Sequence, residues 1–220
     1  TALDEIAEQR IRQIEDAKTH AEEWRNEITY EAELGIIFKD KLSISPREIE
    51  WKGRKWNLDS ITKLRWGGTK HSVNGIPTGT TYNILFGNKS DCSSIELKNE
   101  TIYNNFIDRL WKTAGIQVLN QYLKGLRDGK KYRFGSTIMS DHGMELERKK
   151  IFSKNERVYC PWSELIIWNS PGVFCIGKKE DKKLAEAFSY LEEDNIHVFE
   201  ALIRLFWKRG GEKLSSLLEE

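Results

Sequence analysis

The chain has 220 residues, 39% hydrophobic and 31% charged with only four prolines, which places it within globular limits and away from disordered compositions. Its 35 basic residues nearly cancel 34 acidic ones, removing the general electrostatic pull toward nucleic acid. Cys92, Cys160 and Cys175 are odd in number, widely spaced and without a CxxC pair, which argues against a disulfide framework or a zinc knuckle and for a reducing compartment.

No apolar run reaches membrane-spanning length and the N-terminal stretch is charged, so the expected location is cytoplasmic. Without an export signal, the sequons Asn88-Lys89-Ser90 and Asn99-Glu100-Thr101 carry no weight. Thr1 in place of Met implies a processed chain or a piece of a longer chain or complex.

Leu3, Ala7, Arg10, Ile14, Ala17, Ala21, Trp24 and Ile28 recur at alternating steps of four and three, the stripe of a long amphipathic helix over 1–32. Arg10 and the alanines make a poor coiled-coil seam, so packing on the next domain or linking to a preceding one is favoured over dimerisation. After Glu33 come short β-branched and aromatic runs: 36–38, 42–45, 49–51, 55–58, 61–66 and 82–86. They predict antiparallel strands, with Lys52-Gly53-Arg54 as a hairpin turn and 67–80 as a loop rich in glycine, threonine and asparagine. Asn99 then caps a helix with Ile102, Tyr103, Phe106, Ile107, Leu110 and Trp111 on its apolar face. A second helical stretch, 116–126, leads to the turn Asp128-Gly129 and acts as a fixed connector.

From Tyr132 the strand pattern begins again, and the chain repeats itself. Ser45-Pro46-Arg47-Glu48-Ile49 is echoed by Ser140-Asp141-His142-Gly143-Met144, and Leu58-Asp59-Ser60-Ile61 by Trp162-Ser163-Glu164-Leu165. Tyr82 to Gly87 lines up with Gly172 to Gly177. Asn99, Tyr103, Ile107, Trp111-Lys112 and Gly115 match Asn195, Phe199, Ile203, Trp207-Lys208 and Gly211 at one offset, so cap, apolar face and terminal glycine recur together. The boundaries implied are a helix over 1–32, a first module with its connector over 33–126 and a second module over 127–220.

This pattern resembles the pleckstrin-homology-like (PH-like) superfold, particularly its bacterial PH and GRAM-like branches, on the step into a central strand at 58–61 and 162–165. The resemblance covers about residues 33 to 208. It implies an α+β, mainly antiparallel β fold: two PH-like curled sheets, each closed by a C-terminal helix, after the long N-terminal helix. It also implies a binding or scaffolding role, which is an analogy of fold.

Few residue constellations carry chemistry. Gly172 to Lys179 reads like a phosphate loop, but Lys179 stands where a hydroxyl is needed and an apolar strand fills the interior. His20, His71, His142 and His197 form no metal cluster; the pairs His197/Glu200 and His20/Glu23 read as solvated helix faces. Cys160 reads as core, with no basic helix terminus nearby to activate it. Trp51, Trp56 and Trp66 read as sheet packing in preference to ligand stacking.

Basic clusters occupy one slot in both repeats: Lys52, Arg54 and Lys55, then Arg148, Lys149, Lys150 and Lys154. They are the candidate sites for an anionic group, although PH-like lipid binders use the first hairpin and these lie on the next. Solvated hairpin tips that discourage edge pairing are the favoured alternative. The loop 67–80 has no counterpart in repeat two, which instead carries extra charge over 178–183; such unequal loops mark where function diverges.

The expectation is a non-catalytic adaptor that binds a protein or peptide partner through a sheet edge, helix groove or loop, with no cofactor, metal or nucleic acid. The alternative is a peripheral membrane module gripping anionic lipid through the basic hairpins.

Overall fold

A computed structural model describes residues 2–35, 39–148 and 155–219. The fold is α+β: among the described residues, antiparallel strands form four small sheets, two of four strands and two of three. Contacts divide the chain into two compact units, Thr1–Ser60 with Thr101–Thr113 and Ile61–Glu100 with Ala114–Glu220.

The first unit opens with α1 (Ala2–Ile28). Of the stripe residues whose burial is described, Ala17, Ala21 and Trp24 are exposed and Ile28 is buried. The helix stops short of the expected residue 32, where Thr29 donates its backbone N–H (2.9 Å) and hydroxyl (2.6 Å) to the Arg25 carbonyl. From Tyr30 the burial period changes to two, giving a strand that helical spacing had concealed. Strands β1 (Tyr30–Leu34), β2 (Asp40–Ile44), β3 (Glu48–Trp51) and β4 (Arg54–Asn57) pair in sequence order. Their alternation buries Leu42, Ile44, Ile49 and Trp56. The expected strand at 36–38 lies outside the described residues.

Lys52 and Gly53 turn β3 into β4 with φ of 51° and 73°, the two positive values that a tight hairpin of matching twist requires. A 3-10 turn, Leu58–Ser60, follows and buries Leu58. Helix α2 (Glu100–Leu110) buries Phe106 and Leu110. The Arg109 guanidinium lies 5.1 Å over the Tyr30 ring, and Lys112 pairs with Glu27 at 2.7 Å. Gly115 was expected to end this helix and does not. It takes right-handed helical angles (φ −60°, ψ −52°), and the chain passes through a π-turn, Trp111–Gly115, into α3 (Ile116–Arg127). A glycine stops a helix when it adopts positive φ; here it is buried inside one.

The second unit starts with β5 (Lys63–Val73), β6 (Ile76–Gly87) and β7 (Cys92–Leu97), paired in that order. Strand β7 went unread because Asn88-Lys89-Ser90 and two serines dilute its apolar pattern. The expected loop over 67–80 is instead a continuation of the β5–β6 hairpin, paired as far as Val73 opposite Ile76 with one register shift between His71 and Ser72. Asn74 and Gly75 turn it with φ of 51° and 79°. The sequence signal was there: an Asn-Gly pair flanked by β-branched residues is the strongest short hairpin mark, and the surrounding glycines and threonines masked it.

After α3, strands β8 (Tyr132–Phe134), β9 (Thr137–Ser140), β10 (Gly143–Arg148) and β11 (Glu156–Pro161) form the second four-stranded sheet. A 3-10 turn, Trp162–Glu164, leads to β12 (Leu165–Ser170), β13 (Val173–Lys178) and β14 (Asp181–Ser189). Helix α4 (Ile196–Arg209) buries Ile196, Phe199, Leu202, Ile203 and Phe206 at helical spacing and ends at Gly210, φ 77°. Phe199 is the hub: Phe134 stacks on it at 4.3 Å, and Phe174 and Phe188 meet its edges at 5.5 and 5.6 Å. The chain order of four-stranded meander, 3-10 turn, three-stranded meander and helix thus occurs twice.

Candidate functional site

The basic hairpins come first because the sequence singled them out. Lys52 pairs with Asp40 (3.4 Å) and lies 5.2 Å over the Trp51 ring; Arg54 lies 4.8 Å over Trp56; Lys55 pairs with Glu48 (2.5 Å). Arg148 pairs with Asp181 at 2.6 Å. Lys149, Lys150 and Lys154 lie outside the described residues. Lys52, Lys55 and Arg148 therefore already face a carboxylate. The tryptophans of this region pack as expected, with Trp56 and Trp66 buried.

Two edge strands of the second unit offer different surfaces. Strand β5 is closed by the segment that joins β14 to α4. Asn195 donates its backbone N–H to the Leu64 carbonyl (2.7 Å), accepts the Leu64 N–H on Oδ1 (2.9 Å) and donates Nδ2 to the Thr62 carbonyl (2.8 Å). The residue sits at φ 65° and makes no side-chain cap to its helix, so the capping role expected for it is replaced by one resembling an added strand. Nδ2 also donates to the Tyr122 hydroxyl (2.8 Å), whose pKa burial pushes up to about 12.

Around Asn195 the same segment continues the cover. Asp194 bridges Arg65 (2.6 Å) and Lys63 (3.0 Å); burial raises its carboxyl, but these two cations outweigh it and hold the pKa below the ordinary value. Leu191 lies on Gly67, where a Cβ would come within 3.0 Å of it. His197 is not on a solvated helix face: it is stacked between Trp66 (4.3 Å, 4°) and Tyr190 (4.2 Å, 16°). Its Nε2 lies 2.8 Å from the Trp66 carbonyl, an acceptor only, so Nε2 carries the proton. Burial lowers its pKa, against opposing pulls from that carbonyl and Glu200.

Glu200, expected as a solvated partner of His197, holds a polar network. It accepts from the Tyr190 hydroxyl (2.5 Å), Asn169 Nδ2 (3.0 Å) and Arg204 Nε (2.7 Å), and Arg204 also donates to Asn169 Oδ1. Burial raises the Glu200 pKa, but these donors reverse the sign and leave it lowered; burial and the adjacent carboxylate raise that of Tyr190. No sequence signal linked Asn169 to this group.

Strand β12 is the contrasting edge: among the described residues it pairs on one side only, with β13. Ile166 and Trp168, two residues apart and so on one face, are 42% and 39% exposed. The Trp168 ring rests on Gly177, where a Cβ would meet it at 3.3 Å. Between β12 and the C-terminal half of α4 runs an open cleft of about 710 Å³, walled by Trp162, Leu165, Ile166, Arg204 and Trp207, with Lys179 at its border. Lys179 donates to the Ser163 carbonyl (2.5 Å), a neutral acceptor. Sequence reasoning read 162–165 as the step into a central strand, and the Leu-Ile-Ile-Trp run of 165–168 carries no sign that one face would lack cover.

Cys160 and Cys175 are buried, and burial raises both thiol pKa values; Cys92 is exposed. Among the described residues, no group of three or more His, Cys, Asp or Glu is placed to hold a metal ion. Among them also, no helix is long and apolar enough to cross a membrane. Comparison with protein-family models, with curated proteins and with solved structures finds no match.

Proposed function

We propose that the chain is a non-catalytic binding module of PH-like build, and that it takes an extended segment of a partner protein along β12. The observation that carries this is the one-sided pairing of β12 beside the cleft with α4: backbone groups, apolar side chains and a cleft wall lie together. The peptide backbone would add to the β12 edge, and apolar side chains would enter between Ile166 and Trp207. Lys179, whose ammonium rests on a neutral carbonyl, favours an acidic residue in the peptide. The cover on β5 supports this choice, since the segment closing that edge is itself acidic and anchored by Asp194 on Lys63 and Arg65. The groups with shifted pKa values, Tyr122, Asp194, Tyr190, His197 and Glu200, are engaged with one another and with β5, which favours a structural role for them over catalysis. Anionic-lipid binding through the basic hairpins draws less support, because Lys52, Lys55 and Arg148 face carboxylates.

The test is panning of a random-peptide display library against the whole chain. Enriched peptides should bind in an extended form, lose binding when backbone N–H groups are methylated, and fail on Ile166→Asp and Arg204→Glu variants that still fold. Peptides that bind both variants as well as the parent, or no enrichment at all, would remove the reading.

A further inference from the structure

The outer part of the β5–β6 hairpin is unused by the proposed peptide site. Strand β7 pairs with β6 only from Tyr82 to Gly87, so beyond Gly68 the two strands leave the sheet as a free ribbon. Residues 69 to 73 carry it roughly 17 Å outward at the usual strand rise. The turn at Asn74-Gly75 has positive φ at both positions and matches the strand twist, so the ribbon ends in a defined tip. That tip is apolar: Val73 and Ile76 face each other on the last rung and are 61% and 68% exposed, the two highest values among the exposed large hydrophobic residues. Surface apolar residues are common singly, but a cross-strand pair at the farthest point of an arm is a small apolar wedge.

Its charge surroundings are one-sided. No acidic residue occurs between Asp59 and Asp91, in a chain with 34 of them. Arg65 and Lys63 are held at the base by Asp194, while Lys70 and His71, successive residues and so on opposite faces, flank the ribbon below its tip. His71 also bonds the Thr81 hydroxyl across the ribbon (2.8 Å). An apolar tip, with a lysine below it and no carboxylate of the hairpin's own, matches the layering of an anionic bilayer surface, with hydrocarbon below and phosphate above. A duplex nucleic acid would gain little from one lysine and has no place for the wedge. A neutral protein pocket would not reward the exclusion of acidic residues.

We propose that the β5–β6 arm is a membrane-interface anchor, in which Val73 and Ile76 enter the headgroup boundary of an anionic bilayer and Lys70 and His71 meet lipid phosphates. The anchor is a different hairpin from the basic clusters at 52–55 and 148–154, and it does not depend on the peptide site at β12. It binds weakly and reversibly, since two apolar side chains and one lysine are a single modest signal.

The test is co-sedimentation of the whole chain with vesicles of phosphatidylcholine alone or with about 30% phosphatidylserine, at about 50 and 200 mM salt. The chain should pellet with the anionic vesicles at low salt and less at high salt. Val73→Ser with Ile76→Ser should reduce the bound fraction at least about fivefold, and Lys70→Glu should do so at low salt. The substituted residues are exposed, so the urea midpoint should be unchanged, and peptides selected on β12 should bind both variants as before. No pelleting of the parent with either vesicle, equal pelleting with neutral and anionic vesicles, or equal pelleting of the double variant would overturn the proposal. So would loss of pelleting on charge reversal at Lys52 and Arg54 alone, which would move the contact to the other hairpin.

Discussion

Strands β5 and β12 each open a three-stranded meander directly after a 3-10 turn, yet one is sealed and the other open. On β5, Asn195 and His197 occupy backbone groups from Thr62 to Trp66, and Trp66 is buried under a histidine. On β12, Ile166 and Trp168 stand in solvent beside a cleft. The open strand is the more apolar of the two, Leu165-Ile166-Ile167-Trp168 against Lys63-Leu64-Arg65-Trp66, so local apolarity does not decide which edge is covered. What separates them is a partner more than a hundred residues away: the acidic segment 191–195, with Gly67 leaving room for Leu191. A duplicated scaffold thus loses one edge to internal packing and keeps the other for a partner, and the loss is readable only in three dimensions.

The sealed edge offers the largest effects. Trp66→Ala would remove a buried ring from the stack with His197 and Tyr190, and a loss of about 3–5 kcal/mol is expected in urea unfolding. A loss under about 1 kcal/mol would mean that β5 is no better covered than β12. Next comes Asn195→Ala. It strands the Leu64 N–H and the Thr62 carbonyl and places alanine at φ 65°, for an expected loss of about 3 kcal/mol. Asn195→Gly relieves the backbone strain but not the lost bonds, so it should recover only about 1 kcal/mol of that loss.

These two residues also mark the limit of what the chain revealed unaided. Most strands and the helix faces were legible because they repeat at short period, and the recurring order of elements because Phe199 and Ile203 on α4 echo Tyr103 and Ile107 on α2 at one constant offset. Asn195 was visible too, but as a cap, since an asparagine before an apolar helix is the common capping signal. Its left-handed backbone turns the side chain to β5, and nothing local encodes that. His197 was misread for the same reason, its ring partners lying on β5 and at the end of β14. The arm was misread for a local one: glycine and threonine density outweighed an Asn-Gly turn. In the candidate site, the basic residues of 52–55 were visible while the carboxylates that face them, Asp40 and Glu48, were not connected to them.

A smaller effect separates the edges by pH. The His197 pKa is lowered by burial, so the unfolded chain takes up a proton near its ordinary value of 6.5 before the folded chain does. The stability associated with the neutral ring is complete above that value and is lost as pH falls through the lower folded pKa. Asp194 and Glu200, whose pKa values are also lowered, act in a separate and more acidic window, below their ordinary 3.8 and 4.5. Urea midpoints should therefore fall as pH drops from about 7 toward 5, and His197→Phe, which keeps a ring in the stack, should flatten that segment. A slope unchanged in the variant would place the titration elsewhere.

The smallest expected effect on stability is the most informative about function. Trp168→Ala removes a ring that is 39% exposed and rests on Gly177, and the expected change in urea unfolding is within about 0.5 kcal/mol. Trp66→Ala on the sealed edge should cost several times more, although both are tryptophans on the first strand of a three-stranded sheet. If β12 is the peptide edge, the order reverses in binding: peptides selected on the parent should lose at least about tenfold in affinity on Trp168→Ala, the effect of removing an aromatic anchor. A side chain that matters little to the fold and greatly to the partner is the signature of a surface retained for recognition. If Trp168→Ala instead destabilised the chain as much as Trp66→Ala, β12 would be core under another name and the open edge would lose its meaning.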